Sequence, residues 1–208
     1  MENIHDQKIR RCAWNTTDPV YLAYHDHEWG RPQYDSLKLF EMLCLEGMQA
    51  GLSWITILKR REAYREAFDG FDPQSISAFS DDKIEQLMNN SGIIRNRLKI
   101  NAIVTNARQF FEVEKEQPFN KYLWSFVEGQ PIIHHYKEAK TIPALTEESI
   151  LMSKDLKKRG FKFVGPTICY AFMQATGMVN DHLTDCFCFR KLTGTAKSEL
   201  IESGNSNE

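Results

Sequence analysis

Glu46 sits where an apolar residue belongs. Leu39, Met42 and Leu43 recur at spacings that share one helical face, and the same face then reaches Glu46. A carboxylate turned towards a core is costly unless a cation or a set of donors meets it. The helix breaks at Gly51, restarts at Ser53 and presents Trp54 at once. An acid and an indole placed around a glycine break suit a pocket for a flat, positively charged ligand. The plain alternative is a salt-bridged structural acid beside core aromatic residues, with Tyr24 bracing the N-terminal end.

A second set of residues suits a metal. Cys12 and His25 lie near the start of the folded part, and His182 and Cys186 near its end. His182 and Cys186 are about one helical turn apart and can face one point. Two cysteines and two histidines make a closed tetrahedral set for Zn2+, of the kind found in structural sites, and would tie the two ends of the chain together. His27 and Cys188 are rival ligands. A buried free Cys12, a core His182 and an incidental Cys186-Phe187-Cys188 would account for the same residues without a metal. No further ligand is arranged for the open position a catalytic zinc needs.

The third set could grip phosphate. In Leu156–Thr167, Gly160 suits the end of one helix and Gly165-Pro166 the start of the next. The unpaired N–H groups at that start, with glycine allowing close approach and Lys157, Lys158, Arg159 and Lys162 around the turn, would hold a backbone phosphate without reading sequence. Gly92 to Lys99 repeats the glycine-then-basic character before a long helix. The alternative is an ordinary helix–helix connection with solvated lysines.

The elements that must position these groups are helices. Asp18-Pro19 opens a turn or helix from Val20 to Trp29, and Asp35 or Ser36 caps one to about Ala50. Ser53 caps Trp54 to about Ala67, Asp72-Pro73 opens a short helix, and Ser80 or Asp81 another through Met88. Ile94 to about Glu114 is long and amphipathic, and Tyr122 to Val127 is short and aromatic. Gln130 to Pro143 has no period and is expected as a surface loop. Thr146 caps a helix to Arg159, and Thr167 to Ala175 is the last. No run alternates as a strand should; Ile132-Ile133 is too short. The fold class is all-α.

At 208 residues the chain can bury one full core, and 42% hydrophobic with 26% charged residues is ordinary for a globular protein. No apolar run reaches membrane length, since Leu39–Leu58 is interrupted by Glu41, Glu46, Gln49 and two glycines, and Met1–Arg11 carries no secretory core. Cytoplasmic residence follows as the expectation, with no membrane partner. A net charge of −2 advertises no nucleic-acid partner but leaves room for a local basic patch. Five cysteines, an odd number, argue for thiols or metal ligation and against a disulfide framework.

With these pieces assembled, the chain resembles the bacterial 3-methyladenine DNA glycosylase I family, a branch of the helix-hairpin-helix glycosylases. The resemblance is carried by Cys12-x-Trp14, Asp18-Pro19-x-Tyr21-x-x-Tyr24-His25-Asp26-x-Glu28-Trp29-Gly30, Leu39-Phe40-Glu41-Met42 and Leu45-Glu46-Gly47-x-Gln49-Ala50-Gly51-Leu52-Ser53-Trp54. It continues through Gly92-Ile93-Ile94-Arg95, Trp124-Ser125-Phe126-Val127, Lys157 to Gly165, Thr167-Ile168-Cys169-Tyr170 and Val179-Asn180-Asp181-His182. It spans roughly Arg11 to Phe189, and the departures are the two tails and substitutions such as His27 and Pro166.

The resemblance implies a helix-hairpin-helix glycosylase domain over 11–190, with zinc-bound end segments 11–30 and 178–190 around a helical core 35–177, and disordered segments 1–10 and 191–208. It implies monofunctional excision of 3-methyladenine from alkylated double-stranded DNA by a monomer, with hydrolysis to an abasic site. Glu46 becomes the pocket carboxylate and catalytic group, with Tyr24 and Trp54 around the extruded base. Cys12, His25, His182 and Cys186 become the ligands of a structural Zn2+. Gly51 and Leu52 fill or probe the gap in the duplex, and Lys158, Gly160, Lys162 and Gly165 hold the backbone. Asp181 receives no role. Two other readings remain: a non-catalytic zinc-stabilised nucleic-acid-binding module, and a hydrolase with zinc at its centre. Trp14, Tyr21, Trp29 and Trp124 stay open between pocket wall and packing.

Overall fold

The computed structural model describes residues 9–14 and 16–194. Eleven α-helices and one two-stranded parallel sheet are assigned among them. The chain opens with helix α1 (Pro19–His27), started by Asp18, whose carboxylate accepts from the Val20 and Tyr21 N–H groups. Helix α2 (Ser36–Gln49) is capped in the same way by Asp35. It is the central helix: every residue from Leu43 to Met48 is buried, and α3 (Trp54–Leu58), α7 (Arg97–Glu114), α8 (Phe119–Trp124) and α10 (Pro166–Ala175) all pack on it. Helices α4 (Arg61–Ala67), α5 (Pro73–Ser77) and α6 (Asp81–Asn89) close one side, and α9 (Glu147–Lys158) pairs with α10.

Several expected boundaries move. The helix expected from Trp54 to Ala67 is two, α3 and α4, interrupted at Lys59-Arg60. The long helix begins at Arg97 and not Ile94, because Asn96 is extended and its side chain accepts from Lys99 N, while Ile94 N donates to the Tyr64 hydroxyl. The aromatic helix starts at Phe119, and Ser125–Val127 tightens to a 3-10 turn. Ile132-Ile133 does form a strand, β1, in parallel register with β2 (Val179–Asn180). Two residues cannot announce themselves by alternation, so only the partner reveals them. The last helix, α11 (Phe187–Thr193), takes Lys191–Thr193 out of the expected tail. Residues 1–8 and 195–208 of the expected disordered segments lie outside the described residues.

Two apolar clusters fill the molecule. The larger surrounds α2 and includes Phe40, Leu43, Tyr64, Phe68, Ile103, Phe110, Phe119, Phe161 and Phe172. The smaller joins the ends of the chain and contains Cys12, Tyr24, Trp29, Leu183, Cys186 and Phe189. Met42, Trp54 and Ile142 pack against both. No helix of the described residues is long and apolar enough to cross a membrane.

The α9–α10 turn is bolted to the core. Asn106 on α7 accepts from Lys162 N (2.7 Å) and donates to Lys162 O (3.1 Å), and the Ser153 hydroxyl donates to Val164 O (2.6 Å). Gly47 makes the approach possible, since a Cβ there would stand 3.2 Å from Phe163 Cβ. Lys99 holds the opposite side of the contact. Its Nζ donates to Met48 O (2.8 Å) and Ala50 O (2.5 Å), closing the end of α2, and lies 6.0 Å from the Phe163 ring.

Candidate active site

A cavity of about 410 Å³ lies where the two apolar clusters meet. Glu46 of α2 and Ala171 and Gln174 of α10 form part of its wall, with Tyr21 and Tyr24 from α1, Trp54 from α3, and Ile142 and Pro143 from the chain before α9. Glu46 is 3% exposed and forms no hydrogen bond or ion pair with the described residues; burial pushes its carboxyl up to about 8. The helical period placed this acid on the buried face, and none of the described residues partners it. Trp54 is orphaned too: its Nε1 is buried without an acceptor among the described residues.

Aromatic rings make up the rest of the wall. Tyr24 and Trp54 stand 5.5 Å apart between centroids, and Trp14 contacts both Tyr21 and Trp29 at 4.9 Å. Burial, and then the nearby Glu46, raises the Tyr24 phenol, so it stays protonated. Trp14, Tyr21 and Trp29 are thus cavity residues. Trp124 is packing: it stacks on Tyr34 at 4.4 Å and donates to Gln33 O. Sequence reasoning missed Gln49, Ala171, Gln174 and the 139–143 segment. For Ala171 and Gln174 the available signal was their i, i+3 spacing on one helix face; the loop offered none.

Behind the cavity, Cys12, His25, His182 and Cys186 converge, with their ligand atoms all within 4.8 Å of one another. Cys12 Sγ is 3.5 Å from His182 Nδ1, and Cys186 Sγ is 3.7 Å from both His182 Nδ1 and His25 Nε2. The outer ring nitrogens are oriented as ligand histidines require: His25 Nδ1 on Asp26 (2.8 Å), itself gripped by Arg11, and His182 Nε2 on Trp29 O (3.0 Å). Hydrogen bonds from Cys12 and Cys188 hold the Cys186 thiol far below its usual range. These four residues could hold a metal ion. Of the rivals, His27 is exposed, whereas Cys188 lies with His25 and Asp26 in a second group that could hold a metal ion.

The remaining candidates lie in the α2–α3 break and around the α9–α10 turn. Gly51 (φ +77°) and Leu52 form an exposed break between α2 and α3, and Gln49 Nε2 donates to Leu52 O. Gly160 (φ +94°) ends α9, Gly165 starts α10, and a Cβ at Gly165 or Gly51 would meet nothing within 4 Å. Lys158 and Lys162 are exposed without an ion pair among the described residues. Two expected cations are otherwise engaged: Arg159 is tied to Glu116 and Asp155, and Arg97 to Glu85. Lys99, part of the expected basic run, is buried beneath the break.

A helical domain with an acid-floored, aromatic-walled cavity large enough for one purine defines the class of DNA glycosylases, which work on a base turned out of the helix. Comparison with known proteins agrees. A family model for methyladenine glycosylase matches residues 14–189. The DNA-3-methyladenine glycosylase 1 of Escherichia coli K12 is 54% identical over 182 residues, covering 87% of this chain and 97% of that protein. A crystal structure of 3-methyladenine DNA glycosylase I superposes with a TM-score of 0.84 at 57% identity, covering 86% and 99% of the two chains. A tyrosine-to-phenylalanine variant of 3-methyladenine DNA glycosylase I, solved in complex with 3-methyladenine, gives 0.84 at 44% identity over 86% of this chain and 96% of that one. The chain belongs to the methyladenine glycosylase family.

The buried acid has a thermodynamic signature. In the unfolded chain the Glu46 carboxyl ionises near 4.5, and in the fold it stays protonated to about 8. Its contribution to stability is complete below the lower value and is lost as pH rises through the higher one, at up to about 1.4 kcal/mol per unit. Glu46→Gln removes this loss, so the variant's stability advantage over the parent should grow between pH 5 and pH 8. Urea unfolding of both proteins at the two pH values measures it; an advantage that does not change with pH would mean the carboxyl is not desolvated.

Proposed function

We propose that this protein is a monofunctional DNA glycosylase that hydrolyses the N-glycosidic bond of 3-methyladenine in alkylated DNA and leaves an abasic site for base excision repair. The observation that carries the reading is the unpartnered, buried Glu46 facing an aromatic cavity. Methylation at N3 gives the adenine a positive charge, so the lesion supplies what the cavity lacks. A cation entering beside Glu46 favours loss of the carboxyl proton, and the pair forms in a setting poor in water. Tyr24 and Trp54 add a cation–π preference of about 0.5–2 kcal/mol each. The N9–C1′ bond then breaks with its electrons neutralising the base, and water adds at C1′ and loses a proton.

Asp181 takes no part in this step: it is fully buried and occupied by Tyr170, Gln174 and His134. Gly51 and Leu52 would enter the gap left by the extruded nucleotide, and Lys158, Gly160, Lys162 and Gly165 would grip the backbone of double-stranded DNA. The exposure of Gly51, Leu52, Lys158 and Lys162 and the open space at both Gly51 and Gly165 support that role. In this reading α9, its turn and α10 are the helix-hairpin-helix element, and the enzyme works as a cytoplasmic monomer with the whole cavity in one chain.

The group that fits the Cys12, His25, His182 and Cys186 cluster is a structural Zn2+. Zinc bonds of about 2.3 Å to sulfur and about 2.0 Å to nitrogen give S···N edges of about 3.5–3.6 Å in a tetrahedron. The observed 3.5 and 3.7 Å separations suit that geometry. Four protein ligands leave no open position, and the cluster sits behind Tyr24 and Trp29, so the metal would brace the cavity wall and take no part in hydrolysis.

Free-base analysis after incubation with alkylated duplex DNA tests the reading. Wild-type protein releases 3-methyladenine, with kcat/KM rising as pH approaches 8, and Glu46→Gln loses both most of the rate and the pH dependence. Release by the variant at the parental rate would take the carboxylate out of the mechanism, and no release by the parent would favour the binding module. Metal analysis should find one zinc per chain, and Cys186→Ala should lower both zinc content and melting temperature; a metal-free parent with unchanged melting would remove the ion. Lys158→Ala and Lys162→Ala should each weaken binding to any duplex and reduce the salt slope of affinity by about one. Unaltered slopes would release the turn from its role.

A further inference from the structure

Resting on the glycosylase reading, we propose that Gln174 is the residue that reads adenine against guanine, by presenting a hydrogen-bond acceptor whose orientation is locked by Asp181. Glu46 and the aromatic wall select a flat cation, but both 3-methyladenine and 3-methylguanine are flat cations. Glu46 answers the charge that the two purines share, and it has no hydrogen bond among the described residues to fix which edge of a base its oxygens meet, so it does not by itself separate them.

Gln174 lines the cavity from α10. Its Nε2 donates to Asp181 Oδ2 at 2.7 Å. The same oxygen accepts from the Tyr170 hydroxyl at 2.5 Å, and Oδ1 accepts from His134 Nδ1 at 2.6 Å. Asp181 is fully buried and its carboxylate can only accept. Turning the amide over would set Oε1 against that carboxylate, acceptor against acceptor, so the flip is decided by chemistry. One N–H of Nε2 is therefore committed, and no group among the described residues donates to Oε1. Beside a second N–H that can meet a ring nitrogen, what remains for a base in the cavity is an acceptor, Oε1. It matches the exocyclic amino group of adenine and opposes the carbonyl that guanine carries at the equivalent ring position.

His134 extends the device to the sheet. Its backbone N–H donates to Asn180 O at 3.1 Å as β1 pairs with β2, which sets the imidazole against Asp181. The two-residue sheet thus serves to place Asp181 behind Gln174. Asp181 touches no base in this arrangement and is a positioning residue.

The test uses duplex DNA treated with dimethyl sulfate and chromatography of both released bases, comparing the full-length parent with Gln174→Met and Asp181→Asn. The parent should release 3-methyladenine in strong preference to 3-methylguanine. Gln174→Met removes the acceptor at similar volume, and the ratio of the two rates should fall by about tenfold or more through loss on 3-methyladenine alone. Asp181→Asn leaves the cavity wall unchanged but can donate to Oε1, so the amide can turn and show its N–H2; the ratio should fall here too, with 3-methylguanine release rising. An equal loss on both bases in Gln174→Met would make Gln174 plain wall and overturn the proposal, as would a parent that releases both bases equally. A parent that releases neither base overturns the glycosylase reading itself. If circular dichroism shows Asp181→Asn unfolded, Gln174→Met decides alone.

Discussion

The structure depends on a buried carboxyl that nothing among the described residues pairs. Burying a carboxyl without a partner works against folding at neutral pH, and helix α2 carries Glu46 there regardless. Such a cost is tolerated because the surroundings over-determine the position: Leu43, Leu45 and Met48 on the same helix are fully packed, and Lys99 closes its last turn from below. The acid cannot retreat to solvent without dismantling the core. A cationic ligand relieves the mismatch when it binds, so the energy withheld in folding becomes selectivity for charge.

The helix that carries the acid also connects the two parts of the proposed reaction. Its C-terminal end runs into the Gly51-Leu52 break, and its Gly47 receives the α9–α10 turn. Lys99 touches both, through the Met48 and Ala50 carbonyls and the Phe163 ring. The base cavity, the exposed leucine and the turn are therefore held in fixed relation by a short length of backbone. The smaller apolar cluster does the corresponding work for the aromatic wall. The cysteine–histidine set joins residues some 170 positions apart in the chain and sits against Trp14, Trp29 and the helix of Tyr24.

Much of this was legible in the chain because it is local. Asp18, Asp35, Ser80 and Thr146 cap the helices they precede, since a cap needs only its own next three residues. Glu46 declared itself by violating the helical period. The boundaries that moved did so through distant partners: Tyr64 meets Ile94 N, and β1 becomes a strand only because β2 arrives beside it. The basic runs misled in part for the same reason, because Glu116 and Glu85 claim Arg159 and Arg97 from elsewhere in the chain.

By itself, then, the order of residues determined a mostly helical chain, an acid on an oily face, a glycine break before a tryptophan, and cysteines and histidines near both ends that suit a metal. These follow from period, capping and residue chemistry, which act over a few positions. Tertiary structure alone decided that Glu46 has no partner among the described residues, that Trp14, Tyr21 and Trp29 are wall while Trp124 is packing, and that Asp181 faces Gln174 and not the cavity. Each of these is a statement about what stands opposite a side chain across the fold, and no spacing along the backbone encodes it.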